Sequence, residues 1–91
     1  MITGKIDPEV AQIALLLLEY DDIEHAEFAC NLNGYVCDVG AGWMDAYLDW
    51  RRLSTQSVAV SLHSKCLIVR IGSSFHRLDR ETAKATIEAH L

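Results

Sequence analysis

Four histidines (His25, His63, His76, His90) and three cysteines (Cys30, Cys37, Cys66) are the side chains in this chain best suited to hold a metal, and their spacing argues against it. A structural zinc site draws two ligands from one tight turn, as C-x2–4-C or H-x3–5-H, because four ligands must close around one small ion. Cys30 and Cys37 stand seven residues apart, and the nearest histidines, His63 and His76, thirteen apart. No metal ligand and no cofactor is expected. Nucleophilic chemistry finds no better support: Ser73-Ser74 follows Gly72 without the strand–serine–helix elbow that exposes a catalytic hydroxyl. Asp45 and Asp49, at i and i+4, are a carboxylate pair of the kind that does acid–base work, but on an exposed helix face such a pair is ordinarily solvated surface. Gly40-Ala41-Gly42 and Asn33-Gly34 read as turn glycines, and no phosphate-binding loop is present. The expectation is a protein without catalytic residues.

The carboxylates make a stronger case as a surface. Glu19, Asp21, Asp22, Glu24 and Glu27 fall within nine residues, and Asp38, Asp45 and Asp49 join them if the fold brings their segments together. Residues 1–50 hold ten of the thirteen acidic side chains and one base, Lys5, while residues 51–91 hold seven bases and three acids. Such sorting speaks to partners and association, not to fold. A solvated acidic surface that aids solubility is one reading. The other is a docking face for a basic protein, where like-signed carboxylates raise the association rate and select complementary charge. Trp43, Tyr47 and Trp50 beside Asp45 and Asp49 favour docking, since an exposed aromatic among acids suits an interface anchor. The residues expected to carry it are Asp21, Asp22, Glu24, Glu27, Asp45 and Asp49, with Trp50 as anchor.

These groups must be positioned by a small set of elements. Asp7-Pro8-Glu9 predicts a helix from Pro8 to about Tyr20, with Asp7 as cap and Pro8 in the first turn. Its residues from Val10 to Leu18 are apolar nearly all round, so it is either the central helix of the domain or partly an interface. Residues 22–32 admit two readings. One is a helix capped by Asp21, with Glu24 three residues on, and stopped by Asn33-Gly34. The other, favoured by the alternation of Phe28, Cys30, Leu32 and then Tyr35, Cys37, Val39, is a hairpin turning on Asn33-Gly34. That hairpin would set Cys30 directly opposite Cys37 as a reduced, buried pair. Trp43, Met44, Tyr47, Leu48 and Arg51 follow the stripe of an amphipathic helix, with Arg52 able to pair with Asp49. The C-terminal third predicts a β-meander: a strand around Val58–Leu62, a central strand Cys66–Ile71, and a short edge strand Phe75–Leu78. Asp79 then caps a last helix with Ala83, Ile87 and Leu91 along one apolar line, and Leu78 stapled to Ala83.

Ninety-one residues, 51% apolar with one proline, make a single folded domain spanning 1–91. The fold class is α+β: an antiparallel sheet, built from the C-terminal meander and an N-terminal hairpin, packed with two to three helices. A chain of this size buries only roughly 60–65% of its unfolded surface, so a homodimer would add usefully to its stability. An odd cysteine count, a start without a signal pattern, and no apolar run longer than Ile13–Leu18 point to a cytoplasmic protein with no membrane segment. Direct nucleic-acid binding is disfavoured, because the clustered basic footprint it needs is missing.

In size, acidity and lack of motif, and in the runs LEYDDIEHAE and MDAYLDW, the chain resembles the small phage-borne inhibitors of the anti-CRISPR type. The resemblance implies a non-catalytic inhibitor that presents carboxylates to the Lys- and Arg-lined surface of a nucleic-acid-binding complex. Small acidic immunity proteins against toxic nucleases share the profile. The basic second half departs from a uniformly acidic nucleic-acid mimic and leaves room for one acidic face. A homo-oligomeric structural module, joined through the first helix or through the oppositely charged halves, is the remaining alternative.

Overall fold

The computed structural model describes residues 2–47 and 58–91. Their order is α1 (Pro8–Leu17), α2 (Ile23–Leu32), β1 (Val36–Gly40), β2 (Trp43–Tyr47), β3 (Val58–His63), β4 (Cys66–Ile71), β5 (Ser74–Asp79) and α3 (Arg80–Ala89). The Asp7 carboxylate accepts the Glu9 N–H at 2.8 Å and so starts α1, with Pro8 where a missing N–H leaves no bond unmade. The helix stops at Leu17, short of Tyr20, because the Glu19 and Tyr20 amides reach back only three residues, to Leu16 and Leu17. Val10, Ala11, Ile13, Ala14 and Leu17 are buried, and α1 touches α2, α3, β3 and β4. It is the central helix, which is why its apolar surface runs nearly all round.

Residues 23–32 form a helix, not the first arm of a hairpin. The cap is Asp22, one residue later than the expected Asp21, its carboxylate accepting the His25 N–H at 2.8 Å. Ala26, Ala29 and Cys30 turn inward, a helical spacing that the alternation of Phe28, Cys30 and Leu32 concealed. Asn33-Gly34 ends this helix: Gly34 adopts φ 83°, its N–H reaches Asn31 O at 3.1 Å, and Tyr35 N–H reaches Cys30 O at 3.0 Å. That pair of bonds is the Schellman ending, and it needs the same left-handed glycine that a tight hairpin would have used.

The hairpin lies one element later. β1 and β2 turn through Ala41-Gly42, with Gly42 at φ 82°, and pair Asp38 with Asp45 and Gly40 with Trp43. The helix expected from Trp43 is therefore a strand as far as Tyr47; Leu48, Arg51 and Arg52 lie outside the described residues. Met44 and Ala46 are buried while Trp43, Asp45 and Tyr47 point the other way, and partners on both sides let period two prevail over period 3.6.

The five strands are antiparallel in the order β1-β2-β3-β4-β5, a meander throughout, with a bulge where Tyr47 faces Val58 and Ala46 faces Val60. Met44, Leu62, Leu67 and Leu78 form one buried row across the sheet. All three helices lie on that side, α2 over β1 and β2, α1 over β3 and β4, and α3 over β4 and β5. Asp79 stands at the N-cap position of α3 but its side chain makes no capping hydrogen bond; Leu78 and Ala83 are both buried on either side of it, and Leu91 lies beyond the helix end and is exposed, so the apolar line of α3 is Ala83 and Ile87. The shortest dimension, 20 Å, is that of one helix layer on one sheet. No helix among the described residues is long and apolar enough to cross a membrane.

A pure meander turns sequence order into spatial order. The acidic segments α2, β1 and β2 therefore occupy one end of the molecule, and Lys65, Arg70, Arg77, Arg80 and Lys84 occupy the other. The charge sorting along the chain becomes a charge dipole across the fold.

Gly40 matters for space. A Cβ built there would lie 2.2 Å from the Trp43 indole, which covers the glycine of the facing strand. Gly40→Ala is expected to push the half-exposed indole off the sheet at a cost of about 1 kcal/mol. The check is tryptophan emission in a Trp50→Phe background, which should move to longer wavelength; unchanged emission and stability would contradict this packing.

Candidate protein-binding site

With Ala26, Ala29 and Cys30 facing the core, α2 turns Glu24, Phe28 and Leu32 outward at successive i+4 steps. Phe28 is 67% exposed and Leu32 71%, the two most exposed large apolar side chains among the described residues. A single exposed leucine needs no explanation, but an aromatic and a leucine stacked on one helix face between carboxylates form an apolar ridge in an acidic setting. Asp21 and Glu24 are exposed at the start of this face, and Glu27 lies on its β1 shoulder, where its charge acts on the Cys30 and Cys37 thiols.

Asp22 has a second duty beside the cap, since the His25 ring Nδ1 lies 2.7 and 2.8 Å from its two oxygens. The His25 backbone N–H, then its ring, hold the Asp22 carboxyl below its ordinary value of 3.8; the hydrogen bond to Asp22 and its charge hold His25 above 6.5. The signs follow. The raised His25 contributes stability that is complete below 6.5 and disappears as pH rises through its folded value; the lowered Asp22 contributes stability present above 3.8 and lost as pH falls through its folded value. The pair therefore supports α2 most between those limits, with solvent screening keeping the effect small. His25 is expected to titrate above 6.5 by NMR and to return to it in Asp22→Ala; a wild-type ring titrating at or below 6.5 would contradict the contact.

The structure thus gathers Asp21, Asp22, Glu24 and Glu27 at the start and first turns of α2. Asp45 is elsewhere. Its neighbours Met44 and Ala46 are buried under the helices, so Asp45 emerges on the opposite sheet face, directly across from Asp38, whose Oδ2 accepts the Tyr47 hydroxyl at 2.9 Å. Asp49 and Trp50 lie outside the described residues. The acidic end therefore carries two clusters back to back, one on α2 and one on the sheet.

Two features escaped the sequence reading. Phe28 and Leu32 were hidden because the hairpin interpretation placed them on an inner face with Cys30, whereas a helical count shows the Glu24-Phe28-Leu32 ridge. The second is Ser61 and His63, two residues apart on β3 and hence on one face, with Ser61 Oγ 3.1 Å from His63 Nε2. A hydroxyl against an imidazole is the start of a nucleophile–base pair. However, β3 is bonded to strands on both sides, so its amides belong to the ladder and are not free to stabilise an oxyanion.

The other reactive groups do not assemble into a centre. Cys30 and Cys37 do meet, but between α2 and β1 instead of across a hairpin; the Cys37 thiol is held well above its usual range by its hydrogen bond to Cys30, with burial adding to the shift. All three cysteines are free, and Cys66 lies on the sheet, with the Arg77 guanidinium against its sulfur. His25 sits on α2, His63 on the sheet face away from the helices, His76 on β5 and His90 at the end of α3, and among the described residues no three His, Cys, Asp or Glu side chains are grouped to hold a metal ion. No family model, curated protein or solved structure matches the chain.

Proposed function

We propose that this protein works without catalysis, as an inhibitor that binds a basic, nucleic-acid-handling protein through the outer face of α2. The observation that carries this reading is the ridge of Phe28 and Leu32 flanked by Asp21, Glu24 and Glu27. An amphipathic helix laid into an apolar groove, read through anchors one turn apart, is a standard mode of recognition. The apolar pair supplies the desolvated anchor, and the carboxylates around it select a groove rimmed by Lys and Arg and speed the encounter. A surface built to bind nucleic acid offers that rim, and an acidic helix seated on it would exclude the phosphate backbone.

The test is affinity capture with the wild-type chain and with Glu24→Lys/Glu27→Lys in parallel, followed by competition with nucleic acid on the captured protein. The wild type is expected to retain a basic protein in low salt, to lose it as screening shortens to roughly 8 Å at physiological ionic strength and below that at higher salt, and to displace its nucleic acid. Equal capture by the charge-reversed chain, or a partner that still binds nucleic acid when saturated, would refute the reading.

A further inference from the structure

We infer that Cys30 and Cys37 form a redox site, a dithiol that a peroxide oxidises to a disulfide and so ties the end of α2 to β1. The site lies on the inner side of α2, so the inference stands whatever the outer face of that helix binds.

The two thiols are brought together by the fold, not by their spacing. Cys30 stands in the last turn of α2 and is fully buried. Cys37 pairs with Ala46 across β1 and β2. Ala46 is buried under the helices, so Cys37 projects to the same side and packs, part-exposed, against the core. α2 lies on β1, and the bond from Tyr35 N–H to Cys30 O at 3.0 Å draws the chain back onto the helix end just before Cys37. There the two thiols meet in a hydrogen bond. Closing a disulfide from that contact brings the sulfurs to about 2.05 Å by side-chain rotation, with helix and strand already in place.

The contact also prepares the chemistry. The hydrogen bond from Cys37 holds the Cys30 thiol below its usual range, against burial and the charge of Glu27, and the same bond holds Cys37 above it. The pair therefore releases one proton to solvent and shares the other between its sulfurs. With the shared proton on Cys30, the thiolate is Cys37, the part-exposed sulfur that a small oxidant reaches. Cys37 Sγ attacks one oxygen of hydrogen peroxide and the O–O bond breaks. The leaving hydroxide takes a proton from solvent to become water, and Cys37 becomes a sulfenic acid. The Cys30 sulfur gives up its proton and attacks Cys37 Sγ; the S–S bond forms, the S–O bond breaks, and a second water leaves. Two thiols and one peroxide thus become one disulfide and two waters, each sulfur losing one electron and the peroxide gaining two. Cys66 does not compete, because it is buried on β4 beside the Arg77 guanidinium.

A bridge from residue 30 to residue 37 fastens a contact that the folded chain already makes, while it restricts the unfolded chain. Folding and oxidation therefore favour each other by one common factor, as linkage requires.

Peroxide titration of the folded, fully reduced chain tests this. A single equivalent is expected to lower the titratable thiols from three to one, with Cys30 joined to Cys37 in the peptide map, and dithiothreitol should restore all three. In glutathione buffers the folded chain should hold the disulfide at least about tenfold more strongly than the urea-unfolded chain. The oxidised form should melt about 5–10 °C above the reduced form. Cys66→Ser should oxidise as the wild type does, while Cys37→Ser and Cys30→Ala should each form no bridge and gain no stability from peroxide. Thiols that remain at three would overturn the inference. So would oxidation to sulfinic acid without a bridge, a bridge to Cys66, or an oxidised form that melts at or below the reduced one.

Discussion

Phe28→Asp is expected to weaken the complex with the basic partner by at least about 30-fold, the equivalent of about 2 kcal/mol for an aromatic at the centre of a desolvated contact. The fold should hardly notice, because Phe28 is two-thirds exposed and substitutions at such sites stay within about 0.5 kcal/mol. Glu24→Lys/Glu27→Lys should behave differently in kinetics: the association rate falls and its salt dependence flattens, while dissociation changes less. Surface plasmon resonance at two ionic strengths separates the two effects. If the ridge is only solvated surface, Phe28→Asp and the double reversal will both bind as the wild type does, and the face assignment falls.

The second large effect lies in the core. Leu62→Ala removes the middle of the buried row Met44, Leu62, Leu67, Leu78, and a fully buried leucine truncated to alanine loses about 2–5 kcal/mol. Against a total stability of roughly 5–14 kcal/mol for a domain of this size, that is a large share, and the melting temperature should fall by at least about 10 °C. Leu32→Ala is the control. The same chemical change on the outer face of α2 should leave the melting temperature almost unchanged, whereas the hairpin arrangement would have placed Leu32 inside and made it costly. Comparable losses from the two variants would contradict the placement of α2.

Much of the architecture was legible where signals are local and mutually consistent. The Asp7-Pro8 start, the strand Cys66–Ile71, and the beginning of the last helix after Asp79 appear where the residues place them, although the Asp79 side chain makes no capping hydrogen bond. Each depends on contacts within a few positions, or on a periodicity that no other pattern imitates. Residues 23–47 were harder because their signals were double. Asn33-Gly34 serves a Schellman ending as readily as a hairpin, since both need a backbone at positive φ. Likewise Trp43, Met44 and Tyr47 satisfy period 3.6 and period two equally well over so short a run.

The candidate site divides along the same line. That a dense carboxylate cluster borders Asp21–Glu27, and that charge is sorted from one half of the chain to the other, is written in the residues and needs no coordinates. Which carboxylates share a face depends on pairings between strands distant in the chain. Asp45 was expected beside Asp49 on a helix, yet β1 and β3 bind β2 on both edges and aim Asp45 out of the sheet, away from α2. Sequence-local chemistry determined the caps, the strands of the last third and the sign of each segment's charge. Long-range hydrogen bonding and burial alone decided which side chains face one another, because a strand's inward face exists only once a helix layer has covered it.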